Sequence, residues 1–420
     1  MGGGPSDWTW PAIWTLAFLT LISSLNYLDR SILGLALPLI KAEMQVSDTV
    51  LGLVSGLAFV AVYSLLGIPI AWLADRGNRR NIIAIGFAFW SLMTFLTGFV
   101  STIGQLAAAR FLMGAGEACG LPPSNAMVAD LFRSARRPLA LAILGTANSL
   151  SFILFFPVMG RIADAYGWRA MYIAAGTPGL ILALLFVVTV REPPRGETVQ
   201  ERDSLAATLR FLAGSRTYLW LLAGVTFMGA NVWGSAAWSA TFLVRVHGMT
   251  LTRIADTIGP VRGILSGIGV LLGGMAIDRL VRRDARWRLA LPALACLLVG
   301  PAEVAFLFGN SDAVWLSGFA VAAFFTLVHQ PSVFAVAMGV ARPRMRAVAT
   351  AVLLLFAGLV GQAAGPFAVG WLNDRLHPIY GDAAIRWSLL LLAATAICGG
   401  VSFAAAARHA EADSRRAADA

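Results

Sequence analysis

The sequence predicts an all-α, polytopic membrane protein with twelve transmembrane helices in two six-helix halves. Three observations predict it. Of 420 residues, 58% are hydrophobic and only 13% charged, too apolar for a soluble chain of several domains. The apolar residues gather into twelve continuous segments, each near the roughly 20 residues that cross a bilayer. One long polar interval, residues 191–217, divides them six and six. Barrel strands need only about 10 residues, half the length seen here. Backbone groups in lipid must be satisfied within each segment, which leaves helices.

In chain order the segments fall near residues 12–40, 50–73, 81–100, 105–128, 138–160, 170–190, 218–244, 255–277, 289–308, 313–340, 347–372 and 386–407. This gives an N-terminal half (1–190), a cytoplasmic linker (191–217), a C-terminal half (218–407) and a tail (408–420). The linker holds a proline pair, and its stretch from Ser204 to Leu212 has the pattern of a short amphipathic helix at the membrane surface. The N-terminus lacks the basic region of a signal peptide, so the first segment is expected to remain.

Orientation follows from the basic residues. With the N-terminus cytoplasmic, loops on that side hold 22 lysines and arginines against 7 on the other, which places both ends in the cytoplasm. The expected location is a bacterial inner (plasma) membrane. The formal charge of +10 is scattered through short loops, so it is a topology signal and no nucleic-acid partner is expected. Cys119, Cys296 and Cys398 sit inside apolar segments without metal-ligand spacing, and no disulfide, metal or cofactor is expected. With no paired-histidine zinc motif, P-loop or nucleophile elbow, the chain does not read as an enzyme.

An internal repeat supports the division. Segments two, five, eight and eleven end in a small residue followed four positions later by aspartate: Ala71 and Asp75, Gly160 and Asp164, Gly274 and Asp278, Gly370 and Asp374. Recurrence every third segment is what two halves, each of two inverted three-helix units, leave behind.

Charges inside the apolar segments mark the candidate site. LNYLDR (25–30) puts Asp29 and Arg30 inside segment one, and RFLMGAGEA (110–118) puts Arg110 and Glu117 seven apart on one face of segment four. Each costs about 3 kcal/mol or more in a span, so a partner, a watery cavity or a task must offset it. At about 1.5 Å per residue, Asp29 lies roughly 15 Å inside the outer end of its segment, Arg110 roughly 9 Å and Glu117 roughly 20 Å. If the two segments are neighbours, Asp29 pairs with Arg110 while Glu117 engages Arg30 or faces the cavity. Gly114 and Gly116 allow close approach there. The plainer alternative is a fixed ion-pair cluster that only holds helices together.

The C-terminal half offers Asn231 and Trp233 in segment seven, Arg262 in eight, Glu303 in nine and His329 in ten as candidate substrate-binding residues. Arg262 suits an anionic headgroup. Glu303, beside Pro301, is expected to face a loop, and a lone histidine such as His329 is more often a packing residue than a proton carrier. Phe227, Trp238 and Phe242 either line a tail pocket or face lipid.

Two loops form a candidate cytoplasmic latch: Asp75, Arg76, Arg79 and Arg80 in ADRGNRR (74–80), and Asp278, Arg279, Arg282 and Arg283 in IDRLVRR (277–283). An aspartate at a helix end is set against arginines that reach a neighbouring helix terminus or carboxylate. An ordinary arginine-rich loop is the alternative.

On these loops the chain resembles the major facilitator superfamily, whose mark after the second helix is G-x-x-x-D-R-x-G-R-R. Ala71 and Asn78 replace the usual glycines, which looks like the spinster branch, where D-R-x-N-R is common. LNYLDR, IGFAFWSLMT (85–94), GAGEA (114–118) with ADLF (129–132), GTPGL (176–180) and VREPPRG (190–196) point the same way. The similarity is specific before residue 190 and rests on loop and hydropathy alone after 217. Pro122 and Pro123 fall earlier than the branch pattern has them, so the sequence leaves the course of the fourth helix beyond Glu117 open. The chain is expected to be a monomeric secondary transporter in the lipid bilayer, and its intramembrane charges suggest coupling to protons through Asp29, with Glu117 as a second candidate. The resemblance implies that it moves a lysophospholipid or sphingolipid, by alternating access. The alternatives are a transporter of a small organic anion or hydrophobic drug and, from another class, a non-transporting sensor or scaffold.

Overall fold

The computed structural model describes residues 8–193 and 204–418, almost entirely helical. The side chains of Ala71 and Asp75 and the linker residues 194–203 lie outside the described residues. Nine helical stretches among the described residues are long and apolar enough to cross a bilayer. Two of these, Arg137–Thr189 (53 residues) and Pro343–Ala407 (65 residues), each hold two crossings. A twelfth crossing, Ile103–Leu131, is broken into pieces that are individually too short. The fold is the expected twelve helices.

The crossings are α1 (Trp10–Met44), α2 (Asp48–Ser55 and Leu57–Arg76), α3 (Arg79–Thr97) and α4 (Ile103–Glu117 and Leu121–Leu131). Then come α5, which runs from Arg137 through Ser151–Phe155 into Phe156–Thr189, and α6, the rest of that last stretch. Gly167, at φ 84°, separates them in a left-handed turn that a side chain would strain. The remaining crossings are α7 (Arg216–His247), α8 (Leu251–Val281), α9 (Trp287–Phe308), α10 (Asp312–Phe325 and Gln330–Gly339), α11 (from Arg346 through Phe356–Gln362 to Tyr380) and α12 (Ala384–Ala407). Short helices at Leu205–Ala213 and Ala410–Ala418 flank them. The first matches the amphipathic stretch read from the sequence, with Ser204 capping it through Ala207 N–H at 3.2 Å.

The break in α4 has a local cause. Its first piece starts with a capping box, Thr102 with Gln105, and ends at Glu117. The second piece opens on the two prolines, whose missing N–H is tolerated only in a first turn. The helix therefore restarts at the two prolines, in the stretch whose course the sequence left open.

Among the described residues, contacts group into two compact units. One joins α1–α6 with Ser239–Gly263, the adjoining ends of α7 and α8; the other holds the rest of α7 and α8 together with α9–α12 and the two short helices. In the first unit α4 lies against its neighbours with no room for side chains. A Cβ at Gly114 would strike the Phe59 carbonyl on α2, and one at Gly116 would strike Trp90 on α3. The adjoining ends of α7 and α8 are held there by Asp164, a member of the sequence repeat. Its carboxylate accepts the Leu251 and Thr252 N–H groups at 3.0 and 2.6 Å, capping the positive end of α8. The second unit has its own core, in which Leu221, Val225, Met228, Cys296, Val299 and Phe403 pack together.

Candidate functional site

The four charges of α1 and α4 come together inside the first unit. Arg30 Nε meets Glu117 Oε2 at 2.7 Å. Arg110 Nη1 donates to the backbone carbonyl of Asp29 at 3.1 Å and touches Met113 Sδ at 3.4 Å. Asp29, Arg110 and Glu117 are 4%, 1% and 0% exposed. Of the two expected pairs, Arg30 with Glu117 is formed through side chains. Arg110 instead holds Asp29 through the main chain, because its guanidinium is drawn over the face of Phe59, 5.3 Å from the ring centre. Arg30 lies 4.8 Å from the same ring and 4.6 Å from that of Tyr63. Phe59 thus serves two cations, a placement worth about 2 kcal/mol per contact when water is excluded.

Arg30 also borders a cavity of about 30 Å³, lined with Ser23, Asn26, Tyr27, Tyr63 and Trp90 among others. That volume holds one or two waters. The lining is polar on the α1 side and aromatic on the other. Asp29 is not among the residues lining this cavity, and its carboxyl lies within reach of Glu117, Thr94, Arg110 and Arg30.

The first latch loop is engaged. Arg79 pairs with Asp130 and donates Nε to the Ala74 carbonyl at 3.3 Å. The backbone N–H groups of Arg79 and Arg80 bond both oxygens of Glu192 at 3.0 and 2.7 Å. Asn78, where the superfamily has glycine, is the N-cap of α3 and accepts the Asn81 N–H at 2.9 Å. Arg76 is exposed. In the second loop Asp278, Arg279, Arg282 and Arg283 are all exposed, and none of their side chains makes a hydrogen bond or ion pair among the described residues.

The candidate binding residues of α7–α10 are not gathered at one place. Glu303 does not face a loop: it is buried in the second unit, where Asn231 Nδ2 donates to both carboxylate oxygens at 2.9 and 3.0 Å and to the Leu392 carbonyl at 2.9 Å. The close packing of α9 on α12 turns it inward. His329 packs in the break of α10, its Nδ1 2.9 Å from the Thr326 carbonyl and its ring stacked on Phe403 at 5.4 Å. Trp233 is half-buried on α7. Arg262 lies in the first unit, 5.5 Å from the Phe152 ring. Trp238 and Phe242 face protein, each fully buried, and Trp238 Nε1 donates to the Pro366 carbonyl at 2.9 Å; of that aromatic set only Phe227 is exposed.

Sequence reasoning missed Phe59 and Tyr63, which have no contrast inside an apolar run. It also missed Asp48. That carboxylate, 0% exposed, takes Lys41 Nζ at 2.7 Å and both Nη atoms of Arg245 at 2.7 and 2.8 Å. In the sequence it reads only as an acidic first-turn residue after the N-cap Ser47.

Comparison with known proteins agrees with this architecture. The family model described as Major Facilitator Superfamily matches residues 19–366. An MFS-type efflux pump of Mycolicibacterium smegmatis is 33% identical over 399 residues, covering 94% of this chain and 91% of that one. Human protein spinster homolog 1 is 29% identical, with 96% and 82% covered. The crystal structure of a bacterial homolog to the human lysosomal transporter spinster, inward-facing and unoccupied, superposes with a TM-score of 0.81 at 24% identity, covering 97% of this chain and 99% of that one. The chain belongs to the major facilitator superfamily of membrane transporters.

Proposed function

We propose that the chain is a proton-coupled secondary active transporter that moves an amphiphilic substrate of the lysophospholipid or sphingolipid class by alternating access. The observation that carries this reading is the buried quartet of charges, from which one member, Arg30, reaches into a polar cavity. Glu117 is held by Arg30, whereas Asp29 has no side-chain ion pair among the described residues, so Asp29 is the member that exchanges a proton. Buried in a span among a second carboxylate and two guanidiniums, its charge follows whichever side is open to water. The Arg30 guanidinium, beside Ser23, Asn26 and Tyr27, suits an anionic head. An anion there competes with Glu117 for the same donor and so links substrate to the charge cluster. The Arg79–Asp130–Glu192 network serves as the cytoplasmic latch. The protein works as a monomer in a bacterial inner membrane, with both termini in the cytoplasm.

The test is flux of a labelled lysophospholipid into proteoliposomes with and without an imposed pH gradient. Gradient-driven flux that disappears in Asp29→Asn is expected. Full gradient-dependent transport by that variant rules Asp29 out as carrier. A second reading, export of a small organic anion or hydrophobic drug, is favoured by the relative at 33% identity, named an efflux pump. Displacement of a bound lysolipid probe by lipophilic drugs or short carboxylates, but not by other lysolipids, selects it.

A further inference from the structure

The short helix Leu205–Ala213 buries only part of its apolar stripe. Thr208 and Leu212 turn into the second unit, Leu212 joining its core, whereas Leu205 and Leu209 are 60% and 42% exposed. At about 100° per residue, these two leucines lie side by side next to Leu212, with Arg210 beyond them and Ala207 on the far side. Two leucines one turn apart thus point outward.

That outward edge is fixed by the tail helix, Ala410–Ala418. Arg416 donates Nη1 to the Gly214 carbonyl at 2.6 Å and Nη2 to the Phe211 carbonyl at 2.8 Å, satisfying the last carbonyls of the Leu205–Ala213 helix. The Phe211 ring lies between two cations, with Arg416 at 4.5 Å and Arg342 at 4.7 Å from its centre. Asp413, one turn earlier on the tail helix, accepts the Ser215 hydroxyl and the Thr217 N–H, so the junction with α7 is tied as well. Rolling the two leucines inward would break these bonds.

The edge lies at headgroup level. Ala213 is three residues from Arg216, where α7 begins, so the helix ends within about 11 Å of a membrane crossing. Trp220, one turn into α7, is exposed, and tryptophan gathers at the boundary between lipid and water. The surrounding charge has one sign. Residues 204–217 contain no Asp or Glu, and Arg210 and Arg216 are both exposed. Exposed Arg344 and Arg346 stand at the start of α11, against which the helix packs. The tail carboxylates do not offset them, because Asp413 is turned onto Ser215 and Thr217 while Glu411 pairs with Arg415.

We propose that this edge is a docking surface for anionic phospholipids of the adjoining leaflet: Leu205 and Leu209 enter the upper acyl region while Arg210 and Arg216 take the headgroups. The crossing puts the bilayer at that level, and the exposed arginines select its anionic lipids. The surface is independent of which substrate is carried and of how transport is driven.

The test places a photo-crosslinking amino acid, p-benzoylphenylalanine, at Leu209 of the full chain and, in a second variant, at Ala207. Both are irradiated in liposomes of phosphatidylcholine and phosphatidylglycerol, and the adducts are identified by mass spectrometry. Lipid adducts are expected at 209 and not at 207, with phosphatidylglycerol enriched about five-fold over its share of the bilayer. Arg210→Gln combined with Arg216→Gln should return that enrichment to the bulk ratio while lipid capture at 209 persists. Equal lipid capture at the two positions overturns the proposal, as does capture at 209 in the bulk lipid ratio. Adducts at 209 to residues 194–203 or to a second copy of the chain overturn it too, since the edge then has a protein occupant.

Discussion

Arg30 and Glu117, 87 residues apart in the chain, are joined at 2.7 Å with only 10% and 0% of their side chains exposed. Removing either partner strands a charge in the interior, which typically costs about 3–5 kcal/mol. Arg30→Ala and Glu117→Ala should each lower the thermal unfolding temperature in detergent steeply. Arg30→Met combined with Glu117→Leu should recover most of it while abolishing transport. Stability of the double variant no better than that of the singles would show that the pair does not act as a unit.

The close approach of α4 to α3 gives a second prediction. A methyl at Gly116 meets the Trp90 backbone and the Gly86 carbonyl, whereas Gly104 on the same helix has open space around it. Gly116→Ala should destabilise by about 1–3 kcal/mol through overpacking. Gly104→Ala should be neutral or stabilising by about 0.5 kcal/mol. Thermal unfolding of the two variants side by side, each against wild type, checks the contrast.

Asp48 joins two cations that otherwise repel. Asp48→Ala leaves Lys41 and Arg245 facing each other without their shared carboxylate. The loss should be about 3 kcal/mol, and Arg245→Ala should remove much of the same energy. A double-mutant cycle on unfolding temperature should give a coupling of at least about 1 kcal/mol; additive losses would mean the contact carries little.

Asp413 supplies a pH dependence outside the spans. Partial burial works against its charge, but the Thr217 N–H and Ser215 hydroxyl, both at 2.8 Å, and Arg416 nearby outweigh it and hold the carboxyl below its usual range. A depressed value means that the stabilisation is present above the unfolded-state value of about 3.9 and is lost as pH falls through the folded one. Asp413→Asn should therefore be less stable than wild type near neutral pH, with the gap closing below about pH 4. Unfolding temperatures of the two proteins measured across that range test the sign.

The twelve crossings were legible in the sequence because apolar runs against polar loops give strong contrast, whereas the break in α4 was not: the two prolines marked the place but not the outcome. Asp29, Arg30, Arg110 and Glu117 were visible as candidates for the same reason, being charges in an apolar setting. Their pairing was only half legible. Spacing gives height along a helix but not rotation, so Arg110 could be placed near Asp29 without knowing that Phe59 would draw its guanidinium past the carboxylate. The inward turn of Glu303 was hidden because it depends on how α9 meets α12. Asp48 was hidden because Arg245, its stronger partner, lies 197 residues away.

The widened turns at Ser151–Phe155 in α5 and Phe356–Gln362 in α11 hold one more residue per turn than their surroundings. One inserted residue swivels everything beyond it by about 100° relative to an unbroken α-helix. The Ser151 hydroxyl, hidden from water and bonded to nothing, marks one place where the present winding leaves a group unsatisfied. These two rods therefore aim their far ends differently from an unwidened helix of the same sequence length, while every other coil stays wound.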